Sequence, residues 1–347
     1  MSREDTAERV YRLALAEARS FGVTRVARLT ALDTIGIPVY QAIRPRGLSL
    51  AVSQGKGRSD HAAIMSALME CLEMSYAETI APDLTGVSAA ELSSELPYRL
   101  EALRHYGDDR LAESTPTSWV RGRTLSDGRA TWLPWDGISL DSTIRPLFRP
   151  VFAPSSAGQA AGVCRTRAIS HALLELLERH SVHLLGQSSR MPRRLSAEEL
   201  IDNELGGRLA GSDVEIRLYD ATQISRFPCV MAFLRSPELA SVVAGSACRP
   251  TYAEAATDAL MEAIQCRATV VAGSRDDLHL RNPPGPPPEM WDAPPLSRAE
   301  PPSAVQVLSD LVRTLEELAA GPVVAVDLRR QDEELYVVKC VVPGLEH

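Results

Sequence analysis

One eight-residue pattern, x-Ala-Leu-[Met/Leu]-Glu-x-[Leu/Ile]-[Glu/Gln], recurs three times in this chain, at 66–73, 171–178 and 258–265. Each copy lies in a long run with helical spacing, so the pattern predicts helices over about 60–79, 165–187 and 252–273. The copies are about 90–105 residues apart, too far for a solenoid, whose period is about 20–50 residues. Three such helices, apolar around most of their circumference, need other layers to cover them.

The intervening segments supply those layers. Residues 5–20 place Val10, Leu13, Ala14 and Ala18 on one helical stripe, with Asp5 or Thr6 as N-cap. Strand-like runs follow at 24–32 and 37–44, where Val39, Gln41 and Ile43 keep a period of two. Residues 117–140 read as a hairpin turning at Ser126-Asp127-Gly128. A Gly/Ala-rich loop, 155–162, precedes the second long helix. Strands are expected near 214–220, 228–235 and 240–244, then a last helix at 303–319 and strands at 322–328 and 335–343. Strands and helices without strict alternation predict an α+β fold rather than a doubly wound sheet. Nine prolines between Pro283 and Pro302 exclude a helix or central strand at 282–302, which is expected to be a loop. No other boundary divides the chain, so 1–347 is expected to form a single domain.

Composition excludes several classes. The balance of 37 Lys+Arg against 45 Asp+Glu, a net charge of −8, argues against a general grip on nucleic acid, which needs clustered cations. No run reaches the roughly 18 apolar residues that cross a bilayer. The polar start MSREDTAERV carries no signal segment, so the default location is cytoplasmic. Six cysteines without a C-x-x-C pair argue against a zinc ribbon or disulfide framework and predict buried, reduced thiols.

The chemistry lies in the repeated pattern. Glu70 and Glu73 are three apart and share one helical face, as do Glu175 and Glu178. A solvated face is one reading of such a pair. The other is a partly buried carboxylate cluster, which calls for a cation; Mg²⁺ suits it, because it takes one or two carboxylates together with substrate phosphates. Gln54-Gly55-Lys56-Gly57 lacks the Walker A spacing and reads either as a phosphate-cradling loop or as a tight turn. The loop 156–162 offers backbone N–H groups to an anion or is a plain connection. Arg275, in Gly273-Ser274-Arg275-Asp276-Asp277, reaches a phosphate or pairs within its turn. His180 and His183 have no metal-ligand companions and are read as structural.

Together, S-x-x-x-E-x-x-E, A-L-L-E-L-x-E-R, Gly55-Lys56-Gly57, Ser156-x-Gly158-x-Ala160-x-Gly162 and Pro343-Gly344-Leu345-Glu346 resemble the YcaO family. The likeness runs from about residue 20 to the C-terminus, so no separate leader-peptide module is expected within this sequence. It implies a YcaO-like fold, with mixed or antiparallel sheets and the three glutamate-bearing helices around a nucleotide site. It also implies an enzyme that uses ATP and Mg²⁺ to phosphorylate a backbone amide oxygen of a ribosomally made precursor peptide. A side-chain nucleophile, sulfide or an amine then gives an azoline, a thioamide or an amidine.

By the same resemblance Glu70, Glu73, Glu175 and Glu178 are the magnesium carboxylates. Ser66, Arg179 and Arg275 contact nucleotide phosphates, Thr6 approaches the triphosphate, and Glu262 and Arg267 lie near the site. Met74 and His171, with I-G-I-P-V, V-S-Q-G-K-G and G-S-R-D-D, look like the subgroup that works beside a TfuA partner. His171 stands where the family carries Gln or His, and it is counted with the nucleotide-binding set. That likeness favours thioamide formation, and the ending PGLEH, in place of a Pro-x-Pro-x-Pro tail, weighs against azoline formation. Homodimerisation is a family-level expectation. Val163 and Arg167 depart from the family pattern at the second helix and support a different reading, a catalytically impaired scaffold or peptide-binding partner.

Overall fold

The computed structural model describes residues 3–107, 110–143, 151–188, 192–223, 226–274, 304–329 and 334–345. The Pro-rich stretch at 282–302 lies outside them.

The chain begins with α1 (Arg3–Ser20), then β1 (Arg25–Arg28), β2 (Val39–Ile43) and β3 (Val52–Lys56), followed by the first pattern-bearing helix, α2 (Asp60–Thr79). Next come β4 (Leu84–Val87), β5 (Thr117–Thr124), β6 (Ala130–Pro134), the single turn α3 (Trp135–Ile138) and β7 (Gln159–Gly162), leading into α4 (Arg165–Gln187). After β8 (Arg193–Leu195), α5 (Ala197–Leu200) and α6 (Asn203–Ala210), the chain forms β9 (Glu215–Asp220), β10 (Cys229–Ser236) and β11 (Leu239–Cys248) and enters α7 (Tyr252–Ala272). The last described elements are α8 (Ala304–Ala319), β12 (Val324–Asp327) and β13 (Tyr336–Val341).

Local chemistry fixes the helix starts. Ser59 accepts from the Ala62 amide at the head of α2. Thr251 accepts from the Glu254 amide at 3.2 Å while its hydroxyl donates to the Glu254 carboxylate, so both ends of this Thr-x-x-Glu unit are engaged. α7 ends where Gly273 adopts a φ of 57°, a left-handed cap that glycine enters without a Cβ penalty.

Two expected loops are strands. Val52–Lys56, including Gly55 and Lys56, pairs with β2 and is neither a turn nor a phosphate loop. Residues 159–162 pair with β13. Both are four or five residues long and rich in small side chains, so their alternation is too faint to announce a strand. Conversely, the run 24–32 is strand only to Arg28; residues 30–32 form a 3₁₀ turn.

The strands make three antiparallel sheets: β1-β2-β3; β11-β10-β9-β8; and β4-β5-β12-β13-β7, with β6 on β5. The result is the α+β class, with antiparallel pairing throughout the named strands. Each long helix lies between two sheets. α2 packs on β2 and β3 and also on β7 and β13; α4 packs on β7 and β13 and also on β11; α7 packs on β10 and β11 and also on β3. Sheets and helices therefore alternate around a closed ring, which explains why these helices are apolar on most sides. α1 covers α2 and α8 covers α4.

Close packing at two glycines sets the helix positions. A Cβ on Gly55 would overlap the backbone of Ala63 and Ala67 in α2, and one on Gly245 would overlap that of Ala259 and Ala263 in α7. Of the cysteines, Cys71, Cys229, Cys248 and Cys340 are buried as expected, but Cys164, at the start of α4, is exposed and Cys266 is half-buried.

Candidate functional site

The three short segments β3–α2, β7–α4 and β11–α7 repeat one plan: a strand at the edge of its sheet, a turn, then a helix bearing the pattern. The free edges of β3, β7 and β11 face the centre of the ring and meet the glutamates there. The Gln54 amide of β3 donates to Glu70 at 3.3 Å, and the Ala161 amide of β7 donates to Glu73 at 2.7 Å. The Gly158 amide, just before β7, donates to Glu175 at 3.1 Å, and the Ser246 hydroxyl of β11 donates to Glu178 at 2.6 Å. In α2 and in α4 alike, the first glutamate reaches back to the preceding strand and the second reaches on to the next. In α7 the second position is Gln265, and Glu262 is paired instead with the ammonium of Lys56 from β3. Two junctions of the ring thus carry carboxylates and the third is closed by a lysine.

These carboxylates perturb one another. Burial, then Glu70 and Glu175, hold Glu73 well above the usual carboxylate range against the opposing Ala161 amide. Glu175 is raised by burial against the pull of Arg179 and Lys339. Glu178 is pushed to about 7, first by burial, with Glu175 and Glu262 adding to it. Burial opposes the charge on Lys56, yet Glu262, with Glu70 and Asp258, outweighs it and raises its pKa. Glu73, Glu175 and Glu178 are thus crowded acids of raised pKa, each accepting a hydrogen bond and still partly exposed, an arrangement that a cation relieves. No three acidic, His or Cys side chains among the described residues close into a ready metal cage. Mg²⁺ binds one or two carboxylates and completes its shell with water and phosphate oxygens.

The other expected residues divide. Ser66 and His171 open their copies of the pattern, one helical turn before Glu70 and Glu175. His171 is exposed to the cleft, where desolvation and then Arg249 push its pKa to about 4, so the ring is neutral. Arg179 is over half exposed, with a guanidinium 3.3 Å from Glu175. Glu262 belongs to the cluster. Arg267 does not: it is buried, 2.8 Å from Asp33 and bonded to Ser236, and braces α7 against the segment after β1. Thr6 falls within α1, but its side chain, like all of Arg275, lies outside what is described. His180 is buried, and His183 lies 2.8 Å from Gln187. Lys56, whose glycine-flanked segment the sequence offers as a phosphate loop or a turn, belongs to the cluster, and so does Ser246, which the sequence reading does not reach. The signal for Lys56 was its place between two glycines; Ser246 had none.

The YcaO family model, described as an ATP- and Mg²⁺-binding cyclodehydratase, matches residues 54–346. A protein of Mycobacterium tuberculosis is 35% identical over 271 residues; the match covers 74% of this chain, and the chain spans 59% of that relative's length. A protein from the region 3′ of tfuA in Rhizobium leguminosarum bv. trifolii is 33% identical, over 76% of this chain and 66% of its own. Among solved structures, that of YcaO from Methanopyrus kandleri bound with AMPPCP and Mg²⁺ has a TM-score of 0.70 at 21% identity, over 99% of this chain and 91% of the other. At that identity the likeness is one of fold. No described helix is long and apolar enough to cross a membrane.

Proposed function

The chain belongs to the YcaO family, and from that premise we propose that it spends ATP to activate a backbone amide of a ribosomally made precursor peptide. The observation that carries this reading is the meeting of Glu70, Glu73, Glu175 and Glu178 at the free edges of β3, β7 and β11.

In this reading, the two carboxylate pairs hold Mg²⁺, which when bound neutralises phosphate charge. The strand-edge donors Gln54, Gly158, Ala161 and Ser246 fix the carboxylates so that little reorganisation is needed. Arg179 and Lys56 supply fixed positive charge on either side of the acids, Ser66 offers a hydroxyl, and neutral His171 is an uncharged nucleotide contact. Glu262 orients Lys56. Arg275 and Thr6 remain proposed phosphate contacts. The amide oxygen attacks the γ-phosphorus and ADP leaves; a nucleophile then adds to the amide carbon and expels phosphate, which turns a poor leaving group into a good one.

Sulfide is the proposed nucleophile, giving a thioamide, and the relative from the tfuA region supports this choice. A TfuA-like partner and a homodimeric form belong to the same proposal. So does a single catalytic unit over 1–347, which the closure of all three sheets around one cleft supports. The second reading, a catalytically impaired scaffold, draws on Val163, 50% exposed beside exposed Arg167 at the head of α4.

ATP consumption with precursor peptide, with and without the partner, tests the proposal. Peptide-dependent turnover is expected in the wild type, with a loss of about a hundredfold or more in Glu70→Gln and Glu175→Gln. Turnover absent from the wild type, or equal in all three proteins, excludes it. The product mass then separates oxygen-to-sulfur exchange from loss of one water.

A further inference from the structure

Lys339, on β13, is almost completely buried, and its ammonium makes no ion pair among the described residues. It donates instead to two backbone carbonyls, Ser155 O at 2.6 Å and Ala157 O at 2.5 Å. Around it is an apolar pocket lined by Leu133, Ile138, Phe152, Leu176 and Val342. Glu175 attracts it from beyond ion-pair distance, and a buried ammonium without a direct ion pair is costly, so its place needs a reason.

The reason lies in the turn it holds. Ser155 and Ala157 lead directly into Gly158, whose amide donates to Glu175. Gly158 has a φ of 79°, and a Cβ there would stand 2.6 Å from the Cys340 carbonyl. The Cys340 amide in turn donates to the Gly158 carbonyl at 2.8 Å. Lys339 and Cys340, adjacent on β13, therefore clamp this turn from one side and leave the Gly158 amide pointing at Glu175 from the other. The cross-strand neighbour of Lys339 is Gln159, whose buried amide finds no partner at either end among the described residues, so the ammonium answers to the turn.

We propose that Lys339 is a positioning residue for the carboxylate site, acting through the Ser155–Ala157 carbonyls to fix the Gly158 amide on Glu175. It touches neither metal nor nucleotide. This assignment rests on reading Glu175 as a magnesium carboxylate.

The test is Mg²⁺-dependent binding of AMPPCP to the full chain, titrated in both metal and nucleotide. In Lys339→Met, affinity at limiting Mg²⁺ is expected to fall about tenfold, as for a shifted ligand or its outer partner, and to recover as Mg²⁺ is raised. Lys339→Gln keeps an N–H donor for the carbonyls and is expected to recover most of the loss. A merely structural role would lower the melting temperature without a metal-dependent, glutamine-rescued defect. Wild-type affinity in Lys339→Met, while Glu175→Gln has lost binding, overturns the proposal and leaves the site reading intact. An equal defect in both Lys339 variants, unaffected by Mg²⁺, also overturns it. Unchanged binding in Glu175→Gln itself counts against the site reading instead.

Discussion

Glu178 carries the clearest pH signature of any residue in the cluster. Burial raises its pKa from an ordinary 4.5 to about 7, so between those values the folded state binds more protons than the unfolded chain. Stability from this group is therefore complete below pH 4.5 and is lost as pH rises through 7. The full shift corresponds to roughly 3 kcal/mol as an upper figure. Without divalent metal, urea unfolding across this window should show the wild type losing stability relative to Glu178→Gln; parallel profiles would contradict the assignment. Arg267 makes an opposite kind of prediction. Its guanidinium is 4% exposed against an equally buried Asp33, so Arg267→Met should cost about 3–5 kcal/mol by stranding that carboxylate. Metal-dependent nucleotide binding by the protein that still folds should be unchanged, because nothing of Arg267 reaches the cleft.

At the scale of elements, Gly55 and Gly245 decide how closely α2 and α7 approach their strands. Gly55→Ala would push Ala63 and Ala67 away from β3, carrying Glu70 from the Gln54 amide. The expected cost is about 1–3 kcal/mol or more, with a metal requirement raised along with it; a variant as stable as wild type would mean that α2 has room to shift. These same elements show what the sequence makes legible. The long helices are legible because apolar residues recur over many turns, and their caps at Ser59 and Thr251 are ordinary cap chemistry. The glutamate pairs follow directly from i,i+3 spacing. β3 and β7 are not legible: they are short, and β3 carries a single β-branched residue, Val52, while β7 carries none. With those strands hidden, the donors at their edges were hidden too. Ser246 reaches Glu178 across 68 residues, and no local pattern encodes that contact. Arg267 was misplaced for the complementary reason. Its position near Glu262 in sequence says nothing of direction, and five residues on a helix turn a side chain well away from its neighbour.

The whole molecule is a ring of three strand–turn–helix units whose free sheet edges converge on one set of carboxylates. Each of α2 and α4 ties two sheets together through its own two glutamates, so repulsion among the acids is felt at every junction they span. The Lys56–Glu262 pair relieves that repulsion at the third junction; on the proposed reading Mg²⁺ does so at the other two. Metal and nucleotide should therefore tighten the ring as a whole. At a ligand concentration a hundredfold above Kd, stability should rise by about 2.7 kcal/mol. The gain should appear in hydrogen exchange as slower opening of β3, β7 and β11 together, though these strands belong to three different sheets. The Gln54, Gly158 and Ala161 amides, which donate to the carboxylates, are the reporters to follow. Slowed exchange confined to one strand would mean that ligand binds a single junction and that the ring is not coupled through its centre. Glu73→Ala removes the acceptor of the Ala161 amide and should sever the link between β3 and β7 while leaving Glu175 and Glu178 to join the Gly158 turn and β11, so protection would persist at Gly158 and in β11 and fade at Ala161 and in β3.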